Sequence, residues 1–303
     1  MKNKILLSSG ILGVVVIAAL VFSQNRIQNT TLQPGNSDFS LPSASRQAQH
    51  ETLFFGDADR VLAALERYRD STSQLNRPIG GVTSHHIPTA IPLLAEFYQK
   101  LRASGDVGTF VILGPDHFER SGVNIAASHA SFVTPFGTLQ SDEELLVRIE
   151  KSGLAMRDET AFDREHSIHS QLLFISKLFP NAKIAPIIFR SSATNEEAAA
   201  FGKQLANLLG PNDFIVASVD FSHYLPKEQA RSLDYLAASA LGSLNQGRVG
   251  SIDADSPQAL SAFTAAMSAV GATQSGGLET YNSADLFGSS DYTTGYVFGF
   301  FEK

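Results

Sequence analysis

Apolar runs that stop at histidine constrain this chain more than any other feature. Phe110-Val111-Ile112-Leu113 runs into Gly114-Pro115-Asp116-His117, and Phe214-Ile215-Val216-Ala217-Ser218-Val219 runs into Asp220-Phe221-Ser222-His223. A looser version, Gly81-Val82-Thr83-Ser84, leads into His85-His86, and Glu165-His166-Ser167-Ile168-His169 opens a helical pattern. Runs rich in Val and Ile read as strands buried in a parallel sheet. Residues just past the carboxyl ends of such strands build the ligand sites of open α/β folds. Several strands ending in His and Asp on one sheet edge would deliver imidazoles and carboxylates to one point. That donor set suits a transition metal.

The rest of the chain supports this reading. Helical periodicity is predicted over 57–69, 89–101, 142–151 (with Ser141 as a cap), 167–179, 195–209, 227–244 and 257–270. Strands are predicted over 79–83, 109–113, 123–127, 182–189, 213–219, 278–281 and 295–301. Strand–helix alternation of this kind predicts a single α/β domain over 49–303, with a largely parallel central sheet flanked by helices. No internal repeat and no boundary divides it.

The N-terminus reads differently. Lys2 and Lys4 precede an uncharged apolar stretch, Ile5–Phe22. Residues 1–23 read as a signal-anchor or as a cleaved signal peptide. Residues 24–48, polar with Pro34 and Pro42, read as a flexible linker. The positive-inside rule puts the lysines in the cytoplasm. The domain is then expected outside it, membrane-anchored, or secreted if the segment is cleaved. A net charge of −7 carries no nucleic-acid footprint. With no cysteine, disulfides, thiolate metal sites and cysteine nucleophiles are excluded.

Each histidine segment also has a plainer reading. Asp116 and Asp220 can be turn or cap residues, and Glu165 suits a helix N-terminus through its charge. His166 and His169 share a helix face, which is acceptable ligand spacing. His85 and His86 are adjacent, so at most one faces a given metal. His50 and His129 have no supporting context and read as surface residues.

Five ordered motifs then resemble the MEMO family, whose bacterial members include AmmeMemoRadiSam system protein B. They are Gly-Val-Thr-Ser-His-His, Leu-Gly-Pro-Asp-His, Phe132-Val133-Thr134-Pro135-Phe136-Gly137 with Asp142, Glu-His-Ser-Ile-His-Ser-Gln-Leu, and Ala-Ser-Val-Asp-Phe-Ser-His-Tyr. The resemblance covers roughly residues 78–301. It implies a fold similar to LigB-type class III extradiol dioxygenases, which are non-haem iron enzymes with two His and one carboxylate as ligands. The corresponding MEMO pocket uses two His and a Cys. By motif, the two metal histidines carry over to His85 and His117, with Asp220 and His223 lining the pocket. The missing Cys falls in Asp253-Ala254-Asp255-Ser256-Pro257. Counting back from Pro257 selects Asp253 as the third ligand, with Asp255 the second choice. A carboxylate there favours Fe(II), with Zn, Mn or Cu as further candidates. His166, His223 and Asp220 are the expected catalytic groups, with His166 or His223 as acid or base. Two functions follow: a metal-dependent oxidoreductase, or a non-catalytic metal- or ligand-binding protein. The expected partners are a small-molecule or peptide ligand, the membrane through the N-terminal segment, and, from the family's company, a radical-SAM system.

Overall fold

The structure, a computed structural model, describes residues 48–288 and 292–303. The apolar stretch Ile5–Phe22 and the linker as far as residue 47 lie outside the described residues. Among the described residues, no helix is long and apolar enough to cross a membrane.

In chain order the elements are β1 (Gln49–Glu51), α1 (Ala58–Arg67), β2 (Pro78–Thr83), α2 (Ile91–Ser104), β3 (Thr109–Pro115), β4 (Ile125–Ala127), β5 (Ser131–Thr134) and β6 (Gly137–Leu139). Then come α3 (Glu143–Lys151), β7 (Met156–Arg157), α4 (His166–Leu178), β8 (Lys183–Phe189), α5 (Asn195–Leu208), β9 (Asp213–Ser218) and β10 (His223–Leu225). The chain closes with α6 (Lys227–Gly242), α7 (Gln246–Val249), α8 (Pro257–Val270), β11 (Thr273–Asn282), α9 (Ser283–Phe287) and β12 (Thr293–Glu302). The main sheet runs β10-β12-β2-β9-β3-β8-β4-β7, with β11 also pairing β12. A small second sheet, β1-β5-β6, lies apart from it.

The sheet is mixed rather than largely parallel. β2, β9, β3 and β8 form a parallel centre. On one side β12 pairs antiparallel with β2, β10 and β11. On the other, β4 runs against β8. The physical reason lies in the connections. Helical crossovers join the central strands and keep them parallel, whereas β11 reaches β12 through only α9 and a short loop.

The apolar runs explain the layers. Along β3, Phe110 and Ile112 enter the core under α1, α2 and α4, and Val111 and Leu113 enter the core under α3, α5, α6 and α8. This is the period-2 alternation of a strand buried on both faces. Glycines let the layers close in. A Cβ on Gly202 in α5 would lie 2.0 Å from the Ala262 carbonyl oxygen in α8, so no side chain fits between these helices.

Some boundaries shift from the sequence expectation. Asp142, not Ser141, caps α3 through the Leu145 amide, and the Ser141 hydroxyl instead donates to the Ala130 carbonyl. His50 and His129 are buried rather than superficial. Each is held by two carboxylates: His50 by Glu159 and Asp163, His129 by Glu143 and Glu150. Polar partners for the ring nitrogens permit this burial, and an isolated histidine in a sequence carries no trace of such partners.

Candidate metal centre

Three neighbouring parallel strands, β2, β9 and β3, end together. His85 follows β2, Asp220 follows β9 and His117 follows β3. The N-terminus of α4 adds Glu165 and His166, and the turn before α8 adds Asp255. His85 and His117 rings lie 4.9 Å apart, edge to face. His166 stacks on His117 at 3.8 Å and meets His85 at 5.2 Å. Potential ligand atoms of His85, His117 and His166 lie within 4.8 Å of one another, as do those of His85, Asp220 and Asp255.

Both key imidazoles are oriented through Nδ1. His85 Nδ1 sits 3.2 Å from the Ser218 carbonyl oxygen, to which it donates. His117 Nδ1 donates to Glu165 Oε1 at 2.7 Å, while Glu165 Oε2 accepts the His117 amide at 2.9 Å. Each Nε2 is thereby turned inward, to Asp255 Oδ2, at 3.0 Å from His85 and 3.5 Å from His117. A ring fixed at one nitrogen by a carbonyl or carboxylate, presenting the other to a common centre, is the usual arrangement of metal-ligating histidine.

Asp220 is the brace of the site. Its Oδ1 accepts from the Ser84 hydroxyl and from the His85 amide. Its amide donates to Asp255 Oδ2 at 3.2 Å, and its carbonyl accepts the Asp255 amide at 3.0 Å. Beneath it, Gln171 donates to the Ser84 carbonyl and the Ser218 hydroxyl oxygen, both at 2.8 Å, and accepts from Tyr98. On the far side of the β3 turn, Asp116 accepts the amides of Arg120 and Ser121, which makes it a loop-holding residue.

Charge sorts the members. Burial opposes charge on His117, but Asp255 and Glu165 outweigh it and lift its pKa to about 10. Burial likewise opposes charge on His85, and Asp220 with Asp255 raises its pKa nonetheless. Burial would raise both Asp255 and Glu165, yet the imidazolium neighbours hold them below the usual carboxylate range. His166 goes the other way: burial and then the positive charge of His117 and His85 push it down to about 4. Without metal, the centre is a compact lattice of opposite charges with one neutral imidazole beside it.

The expected residues divide accordingly. His85, His117, His166 and Asp220 come together. Asp253 does not: it is exposed, and the carboxylate that meets both imidazoles is Asp255. The reason is local. Ser256 caps α8 by accepting the Ala259 amide, and the Asp255 backbone is tied to Asp220, which aims its side chain inward. His223 is also outside the cluster, on β10 opposite Thr294. Its neighbour in charge is His86, whose Nδ1 shares a 2.7 Å hydrogen bond with the Tyr296 hydroxyl. The grip of Glu165 on His117 was not foreseen. The available signal was a Glu in the capping position usually held by Ser, Thr, Asp or Asn.

A donor set of two imidazoles and a carboxylate fits a divalent transition metal. Asp255 Oδ1, moreover, is buried and has no hydrogen-bond partner among the described residues. The same motifs that carry this geometry match known proteins. The profile of the family described as Memo-like protein covers residues 47–296. A MEMO1 family protein of Methanothermobacter thermautotrophicus is 30% identical over 73% of this chain and 84% of its own length. Another, of Pyrobaculum aerophilum, is 28% identical over 72% of this chain and 82% of its own. A solved, uncharacterized protein from Escherichia coli K12 overlaps 73% of this chain and 99% of its own at 12% identity, but its TM-score of 0.43 is too low to carry an argument. With most of its length matched by the profile and by these relatives, the chain belongs to the Memo-like family.

Proposed function

We propose that His85, His117 and Asp255 hold one divalent transition metal, Fe(II) first, and that the protein is a non-haem metal-dependent oxidoreductase. The observation that carries this is the pair of inward-facing Nε2 atoms, each locked through Nδ1, meeting one carboxylate oxygen. A metal so held supplies Lewis acidity and, as iron, redox capacity.

The remaining groups have separate tasks. Asp220 fixes the loop that carries His85. Glu165 keeps the His117 tautomer. His166, neutral near pH 7 because of its low pKa, is free to accept a proton from a group bound beside it. The cleft over these residues has a volume of about 480 Å³ and includes His85, His166 and Asp220 in its lining.

The test is metal stoichiometry with oxygen uptake. After incubation with Fe(II), Mn or Zn, the wild type should retain close to one metal per chain. His85→Ala combined with His117→Ala should retain none, Asp255→Ala clearly less, and Asp253→Ala the wild-type amount. Equal retention by the double variant and the wild type sinks the assignment. Oxygen uptake by the Fe(II)-loaded protein on exposure to a substrate panel tests the oxidoreductase half of the reading.

A further inference from the structure

The cleft above the metal centre has a chemical asymmetry that the metal reading does not use. Its wall is apolar, built from Leu53, Phe54, Ile87 and Phe118. Leu53 and Phe118 are 44% and 54% exposed, and the Phe118 ring meets His166 edge-on at 6.1 Å. Opposite in character is Arg164, the one cationic side chain in the lining among the described residues apart from the histidines. Arg164 is exposed and makes no salt bridge among the described residues. The carboxylates on either side of it in sequence are committed elsewhere, Asp163 to His50 and Glu165 to His117.

We propose that Arg164 is the anion anchor of this cleft, and that the cleft takes a small monocarboxylate with a flat apolar body. A guanidinium presents a planar fork that matches a carboxylate in bidentate fashion. A phosphate dianion fits less well. Among the described residues only one such cation lines the cleft, and the first turn of α4 offers no free amide nest because Glu165 already takes the Ser167 amide at 2.9 Å. A cationic ligand has no open partner either. Among the described residues Asp220 is the one carboxylate in the lining, and it is turned to its neighbours, Oδ1 accepting from the Ser84 hydroxyl and the His85 amide and Oδ2 facing His85 Nε2 at 3.6 Å. The apolar wall supplies the remaining contact area, since exposed apolar surface rimmed by polar groups marks a ligand groove. Held between Arg164 and Phe118, the ligand's far end would lie beside His166.

This names the substrate class of the site proposed above and rests on that reading only for what happens at the ligand's far end. The probes are naphthoate, its uncharged match naphthamide, and acetate as the anion without a body. Each is titrated by calorimetry or NMR against metal-free and metal-loaded protein, for the wild type, Arg164→Gln and Arg164→Lys. Naphthoate should bind the wild type saturably with or without metal, and at least tenfold tighter than naphthamide or acetate. Arg164→Gln should lose that preference while keeping its metal content, and Arg164→Lys should restore part of it. The proposal is overturned if naphthoate binds Arg164→Gln as it binds the wild type, if naphthamide binds equally well, or if naphthoate does not saturate the wild type. It is overturned too if binding needs the metal but not Arg164, because the carboxylate is then a metal ligand. A wild type that holds no metal yet binds naphthoate through Arg164 would sink the metal reading and leave this one standing.

Discussion

Glu165 shows how one residue can be both a structural cap and part of a site. Its side chain accepts from Ser167 as the N-cap of α4 and from both the amide and Nδ1 of His117. Glu165→Gln keeps the shape but weakens the grip on the imidazole tautomer. Losses from changing such supporting partners are about 10–100-fold in metal affinity, and we expect that range here, measured by chelator competition. Loss of secondary structure in the same variant would instead mean that the capping role dominates. The charges of the centre also set a pH dependence. Metal can replace the proton on His117 only by displacing it against a pKa of about 10. Metal affinity should therefore fall as pH falls from 9 to 6, about tenfold per unit for each proton displaced. Calorimetry in buffers of different ionisation enthalpy should register proton release, and a pH-independent affinity would contradict it. In the metal-free protein the same charges contribute to stability. The raised pKa of His117 contributes stability fully below its ordinary value of 6.5, lost as pH rises toward about 10. The depressed Asp255 and Glu165 contribute above their ordinary 3.8 and 4.5, and that contribution is lost as pH falls. The lattice is at full strength between about pH 4.5 and 6.5.

At the scale of elements, the parallel trio β2, β9 and β3 is what makes a site. Its apolar runs were legible, because strands buried on both faces need apolar residues at every position. Their ends share one edge because the three strands run parallel. The antiparallel flanks were not legible, since pairing direction depends on where a connection returns rather than on side-chain pattern. Short edge pieces such as β7 and β10 carry too few residues to show a period. Helix packing is set as tightly as the sheet. Gly202→Ala would push a methyl group into the Ala262 carbonyl and separate α5 from α8. Overpacking of this kind costs about 1–3 kcal/mol, and we expect a destabilisation of that order in denaturant melts, despite the better helix propensity of Ala. Gly56→Ala, with open space around it, is the control and should leave the midpoint unchanged. Equal midpoints for both variants would mean that the two helices can part without cost.

On the scale of the whole molecule, the N-terminal segment bears on where the domain works. From Lys2 and Lys4 ahead of Ile5–Phe22 we propose, on the positive-inside rule, that the following residues lie outside the cytoplasm. A phosphatase reporter fused after residue 303 should be active in a bacterial host. An inactive phosphatase fusion beside an active cytoplasmic reporter would reverse the proposed topology. The sequence by itself determined the α/β class, the strands that carry His85 and His117, and the family. These depend on local composition and on residues that lie close together in the chain. Only the tertiary structure brings Asp255, and not Asp253, against both imidazoles, because two carboxylates separated by one residue differ in which way a single turn aims them. Only it removed His223 from the cluster and showed His50 and His129 as buried residues beside carboxylates. Partners distant in sequence, such as Asp163 for His50 and Glu165 for His117, settle a side chain's direction, and they become neighbours only when the sheet and its helices close around them.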